Sequence, residues 1–122
     1  MKPQYMSGNA DQIKGYLRKQ VKETIMEYIK SNTVDGRYLV FNEAQDVTKR
    51  LYLKELHKTV ARSKGFFVNS ADFADEEGNR YSIDFIVAKR NNTLYVMNAL
   101  MYFFNKKESE NFGKGMTVLK VA

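Results

Sequence analysis

Apolar residues near the start of the chain recur every four positions. The series is Ile13, Leu17, Val21, Ile25 and Ile29. On a helix this spacing forms one apolar stripe, so the pattern predicts a single amphipathic helix over residues 10–31. Asn9 is a favourable N-cap, and Gln12 follows it three residues later, as in a capping box. The helix is expected to bury its apolar stripe against the rest of the protein.

Beyond the turn at residues 35–36, the apolar period shortens to two residues. Alternation together with many aromatic and β-branched residues predicts antiparallel strands. The predicted strands cover residues 37–43, 66–73, 81–88 and 93–104, with a short final strand over 116–121.

The segment between the second and third predicted strands has the chemistry of a tight hairpin loop. Residues 75–79 read Asp-Glu-Glu-Gly-Asn, and Gly78 suits the left-handed position that ends a three-residue loop. This loop places Ser70 opposite Asp84.

The next turn, at residues 91–92, is Asn-Asn, which suits a primed two-residue turn. The register that follows is open at this point. A two-residue turn puts Ala99 beside Asp84, whereas another register brings Asn98 there.

Residues 44–63 are ambiguous between helix and strand. Leu53, Leu56 and Val60 fit a helical spacing, and helix-forming residues are frequent. Against this, Leu51 to Leu53 alternates as a strand does. The residues alone leave both alternatives open.

Length and composition restrict the possible functions. With 122 residues the chain is the size of one domain, which we expect to span residues 9–122 behind a flexible tail at 1–8. The absence of cysteine excludes disulfides, thiolate nucleophiles and zinc fingers, and a single histidine excludes multi-histidine sites. We therefore expect no metal and no cofactor.

No apolar run is long enough for a membrane helix. The longest covers residues 94–104, whereas a spanning helix needs about 20 residues. Residues 1–10 are polar, which favours a cytoplasmic protein, although a removed signal peptide stays open, as does whether residues 1–5 are native.

The second and third strands also carry a family resemblance. Residues 66–73, Asp75, Gly78-Asn79 and 81–85 are similar to segments of small bacterial proteins of unassigned function, in which one helix precedes an antiparallel meander. These proteins look like the cystatin-like and NTF2-like α+β folds. The sequence departs from that pattern at Ser70, where a cysteine is expected.

The resemblance implies an α+β fold with one long N-terminal helix packed on a curved antiparallel meander of about five strands. It also implies a strand through residues 51–60, with His57 inside it, and no known chemistry. We therefore predict a strand for the ambiguous segment.

The predicted sheet has two faces, and one helix can cover only one of them. The face that should receive the helix carries Phe67, Asn69, Ala71, Phe73, Tyr81, Ile83 and Phe85. The strand over 93–104 is apolar on both faces, so the second face needs a partner. The simplest partner is a second copy of the chain. In this homodimer we expect the interface to contain Tyr95, Met97, Leu100, Met101 and Phe103. The alternative is that the sheet folds over its own C-terminal segment.

Two small sets of polar residues are candidates for a site. His57 and Asp84 could form an acid–base dyad, in which the carboxylate orients the imidazole. Ser70, Asp84 and Asn98 could line a ligand pocket between helix and sheet. A lone histidine on a sheet is more often structural, so catalysis is not the leading interpretation.

The charge distribution adds a further alternative. The net charge is +6, and residues 1–62 contribute +5 of it, with 12 basic and 7 acidic side chains. Such asymmetry is found in nucleic-acid-binding proteins, but a solvated helix face explains it as well. We expect a non-catalytic binding or protein-interaction module. The first alternative is a small-ligand binder or enzyme, and the second is a weak nucleic-acid binder.

Overall fold

One antiparallel sheet and a single helix make up the part of the chain that the computed structural model describes, residues 11–42, 46–104 and 116–121. In chain order the elements are β1 (Asp11–Ile13), α1 (Gly15–Ser31), β2 (Thr33–Val34), β3 (Arg37–Asn42), β4 (Val47–Ser63), β5 (Phe66–Ala74), β6 (Arg80–Arg90), β7 (Thr93–Phe104) and β8 (Met116–Val121). The predicted tail at residues 1–8 lies outside the described residues.

The predicted fold class, a long helix on a meander of about five strands, is wrong. Within the described ranges, seven strands lie side by side in the order β2 to β8, and β1 pairs with β4 as an eighth. The fold is therefore dominated by the sheet and is not the predicted cystatin-like or NTF2-like arrangement. The strands that were not predicted are β1 and β2, two short segments that pair with β4 and β3 respectively. β4 is 17 residues long, which is enough to pair with both β3 and β1.

The helix is shorter than predicted. Residues 11–13 lie outside it because they pair with β4, and α1 begins at Gly15. Gly15 has a φ of +71°, in the left-handed region, which lets the chain turn from β1 into the helix. The N-cap of α1 is Lys14, and the predicted N-cap Asn9 lies outside the described residues. No helix in the described ranges is long and apolar enough to cross a membrane.

The ambiguous segment is a strand, as predicted, from Val47 onwards. One edge of β4 pairs with β5. The other edge pairs with β3 through residues 47–51 and with β1 through residues 60–62. Between these two partners, residues 52–59 have no described strand on that edge.

The sheet curls around α1, which defines an inner face toward the helix and an outer face. At the sheet's far sides, Cα atoms of β3 and β8 come within 8 Å of each other. The helix buries Val21, Ile25 and Ile29 against the inner face. The residues predicted to receive the helix are all buried there: Phe67, Asn69, Ala71, Phe73, Tyr81, Ile83 and Phe85. Full burial of one such aliphatic or aromatic side chain contributes roughly 2 kcal/mol to the free energy of folding.

The β5–β6 hairpin has the predicted register, with Ser70 opposite Asp84. Gly78 has a φ of +85°, as the loop requires. The Asp75 carboxylate accepts hydrogen bonds from the backbone N–H groups of Glu77 and Asn79, from the Asn79 amide and from the Tyr81 hydroxyl, at 2.9–3.0 Å. Partial burial raises the pKa of Asp75, but these hydrogen bonds outweigh it and hold the pKa below its ordinary value.

A bulge in β7 changes the predicted register of the last hairpin. Asn91 and Asn92 form a two-residue turn with positive φ at both residues, as predicted. The pairing then shifts by one residue at Met97, because Val87 pairs with Val96 whereas Ile86 pairs with Asn98. Asp84 consequently lies opposite Leu100, so neither predicted register of this hairpin is right.

The same bulge exchanges the two faces of β7. Met101, predicted to lie in a dimer interface, is fully buried on the inner face. Tyr95 and Met97 stay 41% and 51% exposed, and Leu100 is half-buried. The side chain of Phe103 lies outside the described residues.

Candidate functional site

The centre of β4 departs from regular pairing. Its register with β5 shifts between Leu53 and Glu55, and again between Leu56 and Val60. A bulge leaves backbone groups without their usual ladder partners, so these groups need other hydrogen bonds.

Two side chains from other elements provide those hydrogen bonds. The fully buried Asn69 on β5 donates its amide to the carbonyls of His57 and Thr59, at 2.9 and 3.0 Å. The ammonium of Lys22 on α1 donates to the same His57 carbonyl and lies 3.5 Å from the Asn69 amide oxygen. The main chain of His57 is therefore fixed from the inner face.

On the outer face, this irregular stretch brings together Glu55, His57 and Asp72, which we call the acid–histidine cluster. Glu55 lies directly opposite Asp72, and His57 Nε2 is 2.9 Å from Asp72 Oδ1. One nitrogen or oxygen atom from each of the three side chains lies within 4.8 Å of the other two. Two carboxylates at opposed positions repel each other, so the cluster favours a cation between them.

The predicted dyad of His57 and Asp84 does not form, because each residue has another partner. The hydrogen bond of the imidazole is to Asp72, whereas Asp84 accepts a hydrogen bond from the Ser70 hydroxyl. Ser70 and Asp84 are adjacent, as predicted, but the Asp84 side chain is almost completely buried.

Asn98 does not join Ser70 and Asp84. It lies opposite Ile86, and its amide oxygen accepts a hydrogen bond from the backbone N–H of Ala99 at 2.8 Å. Asn98 therefore lies apart from the other two predicted pocket residues, and its side chain bonds to the backbone next to the bulge in β7.

A groove of about 1100 Å³ begins beside the acid–histidine cluster. Glu55 and Asp72 form part of its wall. The Arg37 guanidinium lies 4.1 Å above the Tyr52 ring and makes an ion pair with Glu76 at 3.0 Å, so that wall is held in place by its own contacts. The groove carries side chains of both charges and gives the cluster access to solvent.

A second cavity, the basic cleft, lies between α1 and β4 and measures about 550 Å³. It is lined by Gly15, Arg18, Lys19, Lys22, Glu23, Met26 and Lys58. Four of these side chains are cationic and one is a carboxylate. Among the described residues, none of the four cations forms an ion pair within 4.0 Å. Desolvation, followed by the nearby charge of Arg18, lowers the pKa of Lys22.

Sequence reasoning missed both the acid–histidine cluster and the basic cleft. The sequence analysis considered His57 only with Asp84, and it explained the basic residues of the first half by a solvated helix face. The cluster depends on two register shifts in β4 that the apolar pattern does not indicate. The cleft had a usable signal, since Arg18 and Lys22 are one helical turn apart and share a face.

No family model, curated protein or solved structure matches this chain. The resemblance to small bacterial proteins of unassigned function therefore stays a prediction, and function has to be argued from the two sites.

Proposed function

We propose that the protein is a non-catalytic binding module that holds a phosphate group of an anionic partner in the basic cleft. The observation that carries the proposal is the concentration of four cations around one carboxylate in a single cavity. Cations in such proximity repel one another, and a bound anion removes that repulsion.

The cations come from two elements that are fixed relative to each other. Arg18, Lys19 and Lys22 belong to α1, and Lys58 belongs to β4. Lys22 is also tied to the β4 backbone through its hydrogen bond to His57. Because that bond orients the ammonium before binding, less side-chain entropy is lost when an anion arrives.

The backbone contributes charge of the same sign. Gly15, the first residue of α1, lines the cleft, and the first turn of the helix contains no acidic side chain. The positive end of the helix dipole is therefore left uncompensated by the helix itself. Arginine can bind phosphate through two parallel hydrogen bonds, which makes Arg18 the expected main contact.

The proposal is tested by titrating the protein with inorganic phosphate and with tripolyphosphate in isothermal calorimetry, at low and at moderate salt. We expect the Arg18→Gln/Lys58→Gln variant to bind tripolyphosphate at least roughly tenfold more weakly, since each charged hydrogen bond contributes about 1.5–3 kcal/mol. Lys30→Gln/Lys89→Gln is the matched control, because it removes two exposed charges outside the cleft. No binding, or equal losses in both variants, would reject the cleft.

A short oligonucleotide added to the same series examines the nucleic-acid alternative. Binding that falls steeply with salt and is lost in the cleft variant would identify a nucleic acid as the source of the phosphate.

A second candidate is assembly into a homodimer through the first half of β7, and a specific observation favours it. In the described chain β8 pairs only with Ala99–Phe104, so residues 93–98 have one edge without a described strand. Tyr95 and Met97 are exposed on this same segment. An open edge with apolar side chains supports pairing with a second copy.

Native mass spectrometry tests the dimer. We expect twice the chain mass of 14.2 kDa for the wild type and the single mass for Tyr95→Ser/Met97→Ser. Tyr16→Ser is the control, since Tyr16 is an exposed aromatic residue on α1, 74% accessible, and should not affect assembly. A wild type that stays monomeric at high concentration would exclude this interface.

A further inference from the structure

We propose that Glu55, His57 and Asp72 bind one divalent transition-metal ion on the outer face of the sheet. This proposal does not depend on the basic cleft, which lies on the other side of the β4 bulge. The three side chains already present one ligand atom each within 4.8 Å of the others.

The donor atoms select the class of metal. One imidazole nitrogen and two carboxylate oxygens suit zinc, cobalt or manganese, whereas calcium and magnesium prefer oxygen alone. Ligand atoms around a tetrahedral zinc ion are roughly 3.4 Å apart, given bonds of about 2.1 Å. For a metal to bind, the 2.9 Å contact between His57 and Asp72 has to open slightly, while all three ligand atoms already lie within 4.8 Å of one another.

The backbone holds these side chains in position before any ion arrives. Register pairing sets Glu55 against Asp72. The His57 carbonyl is held by Asn69 and Lys22 on the inner face, while its ring contacts Asp72 on the outer face. Fixing the main chain of a ligand in this way reduces the loss of freedom when a metal binds.

Charge gives an independent reason for a cation at this point. Glu55 and Asp72 are like charges on neighbouring strands, an arrangement that destabilises a sheet. Lys54 and Arg80 line the same groove, but among the described residues the only ion-pair partner of these two carboxylates is His57. A divalent ion neutralises both carboxylates at once.

Three protein ligands leave a coordination position free. Glu55 and Asp72 belong to the wall of the 1100 Å³ groove, so the free position would face that space and be filled by water or by a ligand atom. Binding would replace the hydrogen bond between His57 and Asp72 by a bond from each side chain to the metal.

The test is calorimetry with zinc chloride on the untagged full chain, since a histidine tag would itself bind zinc. Visible absorption of bound cobalt(II) reports the coordination independently. We expect one ion per chain with a dissociation constant in the micromolar range. We also expect at least roughly tenfold weaker binding in His57→Gln, Asp72→Asn and Glu55→Gln.

Glu27→Gln is the matched control, because Glu27 is an exposed carboxylate on α1 outside the cluster. It should bind zinc within about twofold of the wild type, since it contacts none of the ligands. Circular dichroism shows whether each variant is folded, and the wild-type melting temperature with zinc and with EDTA gives a readout that needs no variant. Absence of a one-to-one complex, an unchanged melting temperature, or equal zinc affinity in Asp72→Asn and Glu27→Gln would overturn the proposal.

Discussion

Replacing Asn69 by alanine should destabilise the protein far more than an ordinary loss of an amide. Asn69 is fully buried and donates two hydrogen bonds, at 2.9 and 3.0 Å, to carbonyls in the β4 bulge. Each bond contributes a net of about 1 kcal/mol, and a carbonyl left without a partner away from water costs about 1–3 kcal/mol. In the variant, the His57 carbonyl keeps Lys22 as a donor, whereas the Thr59 carbonyl loses the hydrogen bond from the Asn69 amide. We therefore expect a loss of about 2–3 kcal/mol in the free energy of unfolding.

Asn32→Ala is the matched comparison. Asn32 also donates its amide to a backbone carbonyl, that of Tyr28 at 2.8 Å, but it is exposed at the end of α1, where water can replace it. Its replacement should cost about 0.5–1 kcal/mol. Urea denaturation followed by circular dichroism measures both variants, with an unchanged m value required for the comparison. Similar losses for the two variants would refute the view that Asn69 holds the bulge.

Two further predictions concern turns. Asp75→Asn should lower the free energy of unfolding at neutral pH. Its difference from the wild-type free energy should become smaller as the solution becomes acidic. A depressed folded-state pKa contributes stability that is present above the unfolded value of about 3.9 and is lost as pH falls through the folded value; a gap that stays constant between pH 7 and pH 2 in urea titrations would contradict this. Gly15→Ala should cost about 1–2 kcal/mol, because Gly15 has a φ of +71° with open space around it, so only the backbone conformation opposes the methyl group. A gain in thermal stability would instead mean that the helix continues upstream through this residue.

Local chemistry made part of this fold predictable. The β5–β6 register follows from the loop at residues 75–79, because Gly78 and the Asp75 carboxylate determine the turn within five residues. The inner-face residues follow from alternation along the same hairpin. The apolar stripe of α1 was also visible, since Val21, Ile25 and Ile29 are all buried.

The start of the helix and the faces of β7 were predicted wrongly. The helix begins at Gly15, later than predicted, but Ile13 before it is also buried, so the apolar pattern does not show where the helix starts. Met97 is an extra residue in β7, and every side chain after it changes face, which moved Met101 from the predicted interface into the core. No local signal marks such a bulge as strongly as a glycine marks a turn.

The candidate sites were the least predictable part of the molecule. The acid–histidine cluster joins residues from two strands across two register shifts, and neither shift follows from the alternation of β4. The sequence analysis considered His57 only as a possible dyad with Asp84, and it did not consider Asp72 as its partner. Correct pairing of β4 with β5 would have been necessary to choose between these carboxylates.

The interrupted edge of β4 has a consequence for local dynamics. β3 and β1 pair with residues 47–51 and 60–62, which leaves residues 52–59 between them without a described strand on that side. Amide protons pointing to this edge can exchange with solvent through brief local openings, without unfolding of the core around α1. Both proposed sites draw on this stretch, since it contains Glu55, His57 and Lys58. Ligands would therefore bind beside an open strand edge, and their binding should slow amide exchange along it.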